Sequence, residues 1–304
     1  LPYAGVMLGM TQIFGGPGPQ PRDIVDLIES QRVTVVGGVP TVWSTIRDMA
    51  LAEGRDISSV RCGLCGGSAP ARSLMEDLDK KLHAPILHAW GMTETTPIAT
   101  ISRLKSYMDD WTDEQRYAYR SKQGYVAAGV QLRLVDAEEK VVPWDGQTVG
   151  EIQVRGPWVA SSYYNNPGSA DRWTEDGWFR TGDVAVILPD GQVKIVDRMK
   201  DMVLVSGFNV YPNEVEDVIV KHPGVMEAAV IGLPDEHSGE AVVAYVVRRD
   251  QALTVEELRQ FCRENLTGYK VPRRIEFRET LPKTNVGKVL RRALKEEVEQ
   301  SHAH

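Results

Sequence analysis

Five short clusters along the 304 residues place hydroxyl, carboxylate and amine groups where they could act on a charged substrate. Gly66-Gly67-Ser68 and Trp90-Gly91-Met92-Thr93-Glu94-Thr95 each follow an apolar run. A hydroxyl, a carboxylate and open backbone amides at a strand end suit a nucleotide phosphate with its divalent cation. Thr93 could donate to a phosphate oxygen, Glu94 could bind Mg²⁺, which prefers oxygen ligands, and Trp90 offers a flat face for a base. Taken alone, the stretch reads equally as a capped helix start with Glu94 stabilising the dipole. Asp183, in Arg180-Thr181-Gly182-Asp183, is either a turn residue after glycine or a carboxylate accepting both ribose hydroxyls. Asp197-Arg198-Met199-Lys200-Asp201 packs four charges into five residues, as an exposed linker does and as a hinge would. Lys288, in Pro282-Lys283-Thr284-Asn285-Val286-Gly287-Lys288, opens a helix. A cation in the first turn opposes the helix dipole, which hints that this lysine is kept for another purpose.

The elements that must position these groups can be read from periodicity. Asp23 to Ser30 has helical spacing, Val33 to Val36 is a β-branched run closed by Gly37-Gly38, and Pro40 opens a helix through Met49. A second strand ends at Gly66-Gly67, a helix covers Ala71 to Leu82, and Pro85 to Leu87 is a third strand. This alternation predicts a parallel sheet flanked by helices. Ligands bind such sheets beyond the C-terminal strand ends, where Gly66-Gly67-Ser68 and the residues after His88 fall. Ser102 to Gln123 is polar and aromatic, and reads as an exposed insertion. Gln131 to Val196 alternates like strands, with a hairpin about Asp190-Gly191. From Val203 onward, strands and helices alternate in a compact α+β pattern, so a boundary is expected at Arg198 to Asp201.

Hydrophobic residues make up 42% and charged residues 25%, with a formal net charge of −7. This is globular composition without the basic excess of a dedicated nucleic-acid binder. No apolar run approaches the roughly 18 residues needed to cross a bilayer. Three cysteines point to a reducing, cytoplasmic setting. Cys62-x-x-Cys65 lacks the further ligands of a zinc site and reads as core packing. Arg259 to Lys295 holds eleven Lys or Arg against three acidic residues, a solvated face or a patch for a polyanion such as ATP or coenzyme A. Leu1-Pro2-Tyr3 is neither an initiator nor a leader and reads as mid-helix, with Tyr3, Val6, Met7 and Met10 on one face. A fragment is therefore expected.

The order of the motifs is more specific than any one of them. Gly-Gly-Ser-Ala-Pro at Gly66, Gly-Met-Thr-Glu-Thr at Gly91, Tyr-Tyr-Asn-Asn-Pro at Tyr163 and Trp-Phe-Arg-Thr-Gly-Asp at Trp178 come first. Asp-Arg-Met-Lys-Asp at Asp197, Ser-Gly-Phe-Asn-Val-Tyr-Pro from Ser206 and Pro-Lys-Thr-Asn-Val-Gly-Lys from Pro282 follow. Together they resemble the superfamily of acyl-CoA synthetases, non-ribosomal peptide synthetase adenylation domains and luciferases. Gly38-Val39-Pro40-Thr41 and Gly156-Pro157-Trp158-Val159 are most similar to its medium- and long-chain fatty-acid–CoA ligase branch.

The resemblance implies an α/β fold: the remainder of a large parallel-sheet N-terminal domain with a small antiparallel β subdomain, residues 1–199, then a mobile α+β C-terminal domain, residues 200–304. It implies ATP, Mg²⁺ and coenzyme A as cofactor and co-substrates, a carboxylic acid substrate of fatty-acid type, and often a homodimer. Gly66, Gly67 and Ser68 would line the acyl pocket and adenylate, while His88, Ala89 and Trp90 would hold adenine. Thr93 would contact phosphate, Glu94 the Mg²⁺, and Asp183 and Arg198 the ribose, with Lys200 as hinge. Lys288 would bridge carboxylate and α-phosphate. The Ser206-Gly207-Phe208 loop would replace it for thioester formation. The resemblance leaves two alternatives: loading of a carrier protein, or a non-catalytic fragment that binds nucleotide or a partner.

One departure matters. The family's Ser/Thr/Gly-rich phosphate loop ending in Pro-Lys-Gly has no counterpart in these 304 residues, and such a loop cradles phosphates through backbone amides. Little or no ligase activity is therefore expected of this chain alone. Pyrophosphate release with ATP and a panel of fatty acids checks this, and turnover near that of full-length enzymes would overturn it.

Overall fold

A computed structural model describes residues 2–284 and 289–302. The chain divides into two compact units, residues 1–132, 154–179 and 187–194 forming one, and 133–153, 180–186 and 195–304 the other.

The first unit opens with α1 (Pro2–Met7) and α2 (Pro21–Ser30), followed by β1 (Val35–Gly38), α3 (Pro40–Glu53), β2 (Cys62–Cys65), α4 (Arg72–Lys80) and β3 (Ile86–Trp90). β4 (Thr100–Ile101), α5 (Asp113–Arg120) and β5 (Tyr125–Val126) complete a five-stranded sheet in the order β1-β2-β3-β4-β5. The first three strands are parallel, as expected, and β4 and β5 extend the sheet antiparallel. Burial rises across the parallel strands, from half-buried β1 through β2, whose residues alternate half-buried and buried, to β3, buried at Ile86, His88, Ala89 and Trp90. Trp43, Ile46, Leu74, Met75, Leu78, Ile86 and Cys65 form the core, and Trp43 Nε1 donates to the Leu64 carbonyl at 3.1 Å. Burial pushes the Cys65 thiol up to about 12, as the core-packing reading of this cysteine requires. Tyr3, Val6 and Met7 on α1 are exposed.

The expectation of an exposed insertion between Ser102 and Gln123 is corrected. Met108, Tyr117, Tyr119 and Arg120 are buried. Arg120 pairs with Asp79 and donates to the Ile86 carbonyl at 2.8 Å, while the Tyr117 hydroxyl donates to Asp79 at 3.1 Å. The polar groups of Tyr117 and Arg120 can be buried there because each meets a partner. Thr112 and Gln115 form a capping box at the start of α5.

A four-stranded sheet follows, β6 (Gln131–Val135), β7 (Gly150–Arg155), β8 (Phe179–Ile187) and β9 (Val193–Arg198), in that order. A tight turn, closed by the Leu188 amide on the Gln192 carbonyl at 2.9 Å, joins β8 to β9. The hairpin predicted about Asp190-Gly191 is this turn.

The second unit carries β10 (Val203–Val205), β11 (Phe208–Val210), α6 (Pro212–Ile219), β12 (Val225–Asp235), β13 (Gly239–Arg248), α7 (Val255–Asn265), β14 (Arg274–Arg278) and α8 (Arg291–His302). Its sheet runs β11-β10-β13-β12, with β14 parallel to β13. Side chains alternate across a strand, and β12 uses both faces. Val230 joins Val215, Ile219 and Leu258 from α6 and α7, whereas Ala229 and Ile231 join Leu294 from α8.

Candidate functional site

Register brings the ends of the parallel strands side by side. Gly38 pairs with Cys65 and Cys65 with His88, and the Gly66 amide donates to the Gly38 carbonyl at 3.2 Å. Gly67 and Ser68 are exposed just beyond, so the predicted glycine turn does lie at the C-terminal strand ends. His88 is buried, and its Nδ1 lies 3.0 Å from the carbonyl oxygens of both Ser121 and Lys122. Two carbonyl acceptors require the proton on Nδ1. Burial holds this imidazole below its ordinary range, against the opposing pull of those two carbonyls. Ala89 and Trp90 are buried within β3. The flat Trp90 face expected to be open to a base is thus largely covered.

Thr93 to Thr95 form a single 3₁₀ turn, which is too short to carry the helix dipole of the alternative reading. The turn is rigid for local reasons. Thr95 is fully buried, its Oγ1 accepting the Met92 amide at 2.9 Å and donating to the Pro97 carbonyl at 2.9 Å. A Cβ on Gly91 would stand 1.8 Å from the Pro97 oxygen, so only glycine passes there. Thr93 is exposed and Glu94 half-buried. The Glu94 carboxylate accepts the Tyr163 hydroxyl, and that hydrogen bond pushes the phenol above its ordinary value. Tyr163 carries no role legible in the sequence, because no local pattern signals a contact between residues 69 apart.

Asp183 is not a turn residue. It lies inside β8, buried, with Oδ1 2.9 Å from Arg198 Nε at the end of β9. Lys200 is exposed in the 3₁₀ turn Met199–Asp201. Asp197 corrects the exposed-linker reading, being 1% exposed. It accepts the amides of Arg198 and Asn213, both at 2.7 Å. Arg291 Nη2 reaches Asn213 Oδ1 at 2.7 Å and Glu216 Oε2 at 2.7 Å. Burial raises the Asp197 and Glu216 carboxyls despite these donors.

Ser206 and Gly207 form the two-residue turn between β10 and β11, both with positive φ (50° and 85°). This is the mirror-image turn that glycine permits and hairpins favour. Phe208 is exposed and stacks on Tyr269 with centroids 4.9 Å apart. The loop borders a cleft of about 750 Å³ that also includes Arg259, Arg263 and Arg273, three cations of the predicted basic stretch. Arg273 is itself paired with Asp235, and others of that stretch are paired too, among them Lys270 with Glu214 and Lys283 with Glu227. Lys288 lies outside the described residues.

The sequence profile of AMP-binding enzymes matches residues 1–164, and that of the AMP-binding enzyme C-terminal domain matches residues 214–288. A long-chain-fatty-acid–CoA ligase of Escherichia coli O6:H1 is 41% identical over 91% of this chain and 48% of its own length. The solved structure of the amide bond synthetase McbA from Marinactinospora thermotolerans aligns with a TM-score of 0.78 at 30% identity, covering 92% of this chain and 55% of that one. The o-succinylbenzoate CoA synthetase of Bacillus subtilis, in complex with its acyl-adenylate intermediate, aligns with a TM-score of 0.77 at 28% identity, covering 96% and 57%. The chain spans about half the length of the curated relatives it matches. Among the described residues no helix is long and apolar enough to cross a membrane.

Folding must keep the His88 imidazole neutral, whereas the unfolded chain takes up a proton below about 6.5. The folded state is therefore disfavoured progressively as pH falls from about 6.5 toward the lowered folded value, and the effect is absent above that window. His88→Gln is expected to flatten the loss of melting temperature between pH 7.5 and pH 5.5. Identical slopes for variant and parent would contradict this.

Proposed function

This chain belongs to the AMP-binding enzyme family, and we propose from that premise that it carries the adenylate-handling part of an ATP-dependent acid–thiol ligase. The reaction would join a fatty acid to coenzyme A through an acyl-adenylate, in the cytoplasm. One observation carries the reading: three parallel strand ends place Gly66-Gly67-Ser68 beside β3, whose rigid loop presents Thr93 and Glu94. The name of the Escherichia coli relative, a CoA ligase 41% identical, favours coenzyme A over a carrier protein as acceptor.

In this reading Gly66, Gly67 and Ser68 line the acyl and adenylate pocket, and the C-terminal end of β3, His88-Ala89-Trp90, faces adenine. Thr93 donates to phosphate, and Asp183 with Arg198 takes the ribose. The hydroxyls of ribose would donate to a carboxylate whose charge Arg198 already offsets. Residues 1–199 and 200–304 act as two domains hinged at Lys200. The Ser206-Gly207-Phe208 turn serves the second half-reaction, and the cleft bearing Arg259, Arg263 and Arg273 suits the anionic end of coenzyme A.

Among the described residues no cluster of three or more His, Cys, Asp or Glu gathers for a metal. Glu94 and Thr93 offer one carboxylate and one hydroxyl, an all-oxygen donor set. That fits Mg²⁺, which commonly takes one or two carboxylates and completes its shell with water and substrate phosphates. When bound, the ion would offset negative charge on the phosphates. Substrate carboxylate would attack the α-phosphorus, forming the new P–O bond as the bond to pyrophosphate breaks. Lys288 would stabilise the charge that grows in that transition state. The coenzyme A thiol then attacks the mixed anhydride and releases AMP.

Lys288→Ala in the full-length gene product is expected to cut adenylation on the order of 10²–10³-fold and to spare thioester formation from preformed acyl-adenylate. The two half-reactions are measured separately, by ATP–pyrophosphate exchange and by thioester release. Equal loss in both would overturn the assignment.

A further inference from the structure

Glu94 is held at two points by one distant stretch of chain. Its main-chain oxygen accepts the Ala160 amide at 2.8 Å, and its carboxylate accepts the Tyr163 hydroxyl. The same stretch meets the adjoining loop twice more. Thr96 Oγ1 donates to the Trp158 carbonyl at 2.8 Å, and Trp158 Nε1 donates to the Ile98 carbonyl at 3.2 Å. The Tyr163 ring is itself fixed. Trp173 packs edge-on against it, centroids 5.3 Å apart at 71°, and Trp173 Nε1 donates to the Ala160 carbonyl at 2.8 Å. Ring packing therefore decides where the hydroxyl points.

We propose that Tyr163 is a positioning residue, its hydroxyl orienting the Glu94 carboxylate for a divalent cation before that cation arrives. This rests on the reading of Glu94 as the Mg²⁺ ligand. A carboxylate can only accept hydrogen bonds, and the phenol occupies one of its oxygens. The other oxygen can then face a hard cation, and the bond restricts the side-chain torsions that would otherwise be lost on binding. Outer-shell partners of metal ligands typically change metal affinity by about 10–100-fold. The neighbouring Tyr164 is fully exposed and serves as a control of the same residue type.

The test uses the full-length product of the gene encoding this chain, with Mn²⁺ as the probe and electron paramagnetic resonance reporting enzyme-bound Mn²⁺ in the presence of ATP. Tyr163→Phe keeps the ring and its contact with Trp173 and removes only the donor. It is expected to weaken Mn²⁺ binding about 10–100-fold with an unchanged melting temperature, while Tyr164→Phe binds like the parent and Glu94→Gln loses binding. The Mg²⁺ concentration for half-maximal pyrophosphate release should rise in Tyr163→Phe, with kcat recovered at saturating Mg²⁺. Parental Mn²⁺ affinity in Tyr163→Phe, alongside loss in Glu94→Gln, would overturn the positioning role and leave Glu94 as ligand. Parental affinity in Glu94→Gln would overturn both. Should Tyr163→Phe melt early, Tyr163→His, which keeps a ring donor, has to recover part of the affinity, and its failure to do so would also overturn the proposal.

Discussion

A short turn has to be rigid if it is to present a carboxylate in one place, and at the end of β3 local bonds are joined by others from a distant part of the chain. The Thr93–Thr95 turn has one buried hydroxyl of its own, Thr95, and a glycine that lets the Pro97 carbonyl approach. The remaining restraints come from residues 158 to 163, through Trp158, Ala160 and Tyr163. An unpaired buried polar group costs about 1–3 kcal/mol, so each bond also constrains its partner. The loop after β3 and the Tyr163 segment are consequently held together by several bonds.

A second constraint lies in the other unit. Asp197, Glu216 and Arg291 are ionisable groups largely removed from water; Asp197 is held by the backbone amides of Arg198 and Asn213, while Arg291 pairs with Glu216 and donates to the Asn213 side chain. Such networks add little net stability, yet deleting one partner leaves an uncompensated charge worth about 3–5 kcal/mol. Asp201 approaches the same Arg291 at 3.5 Å. The turn bearing Lys200 is therefore tied on both flanks, and a hinge at Lys200 would have to exchange these bonds as it moves.

The parallel strands were legible because β-branched runs closed by glycines leave few other options, and the α+β pattern after Val203 was legible from alternating periods. What sequence reading missed shares one cause. Tyr117 and Arg120 look solvent-loving until Asp79 meets them. Asp183 follows a glycine and looks like a turn until β9 supplies Arg198. Asp197 looks like a linker until Asn213 caps it. In each case a distant partner reverses the local preference, and no window of neighbouring residues contains that partner. Trp90 is the converse case, an aromatic whose local setting suggested openness and whose sheet neighbours cover it.

The residues assigned above to adenine, phosphate and ribose are proposed to hold an acyl-adenylate. Calorimetric binding of a hydrolysis-resistant acyl-adenylate analogue to the full-length gene product, with and without Asp183→Asn, tests it most directly. A hydrogen bond to a charged group contributes about 1.5–3 kcal/mol, so the parent is expected to bind and the variant to bind roughly 10–100-fold more weakly. A parent that does not bind the analogue, or a variant that binds it equally well, would contradict this assignment of Asp183.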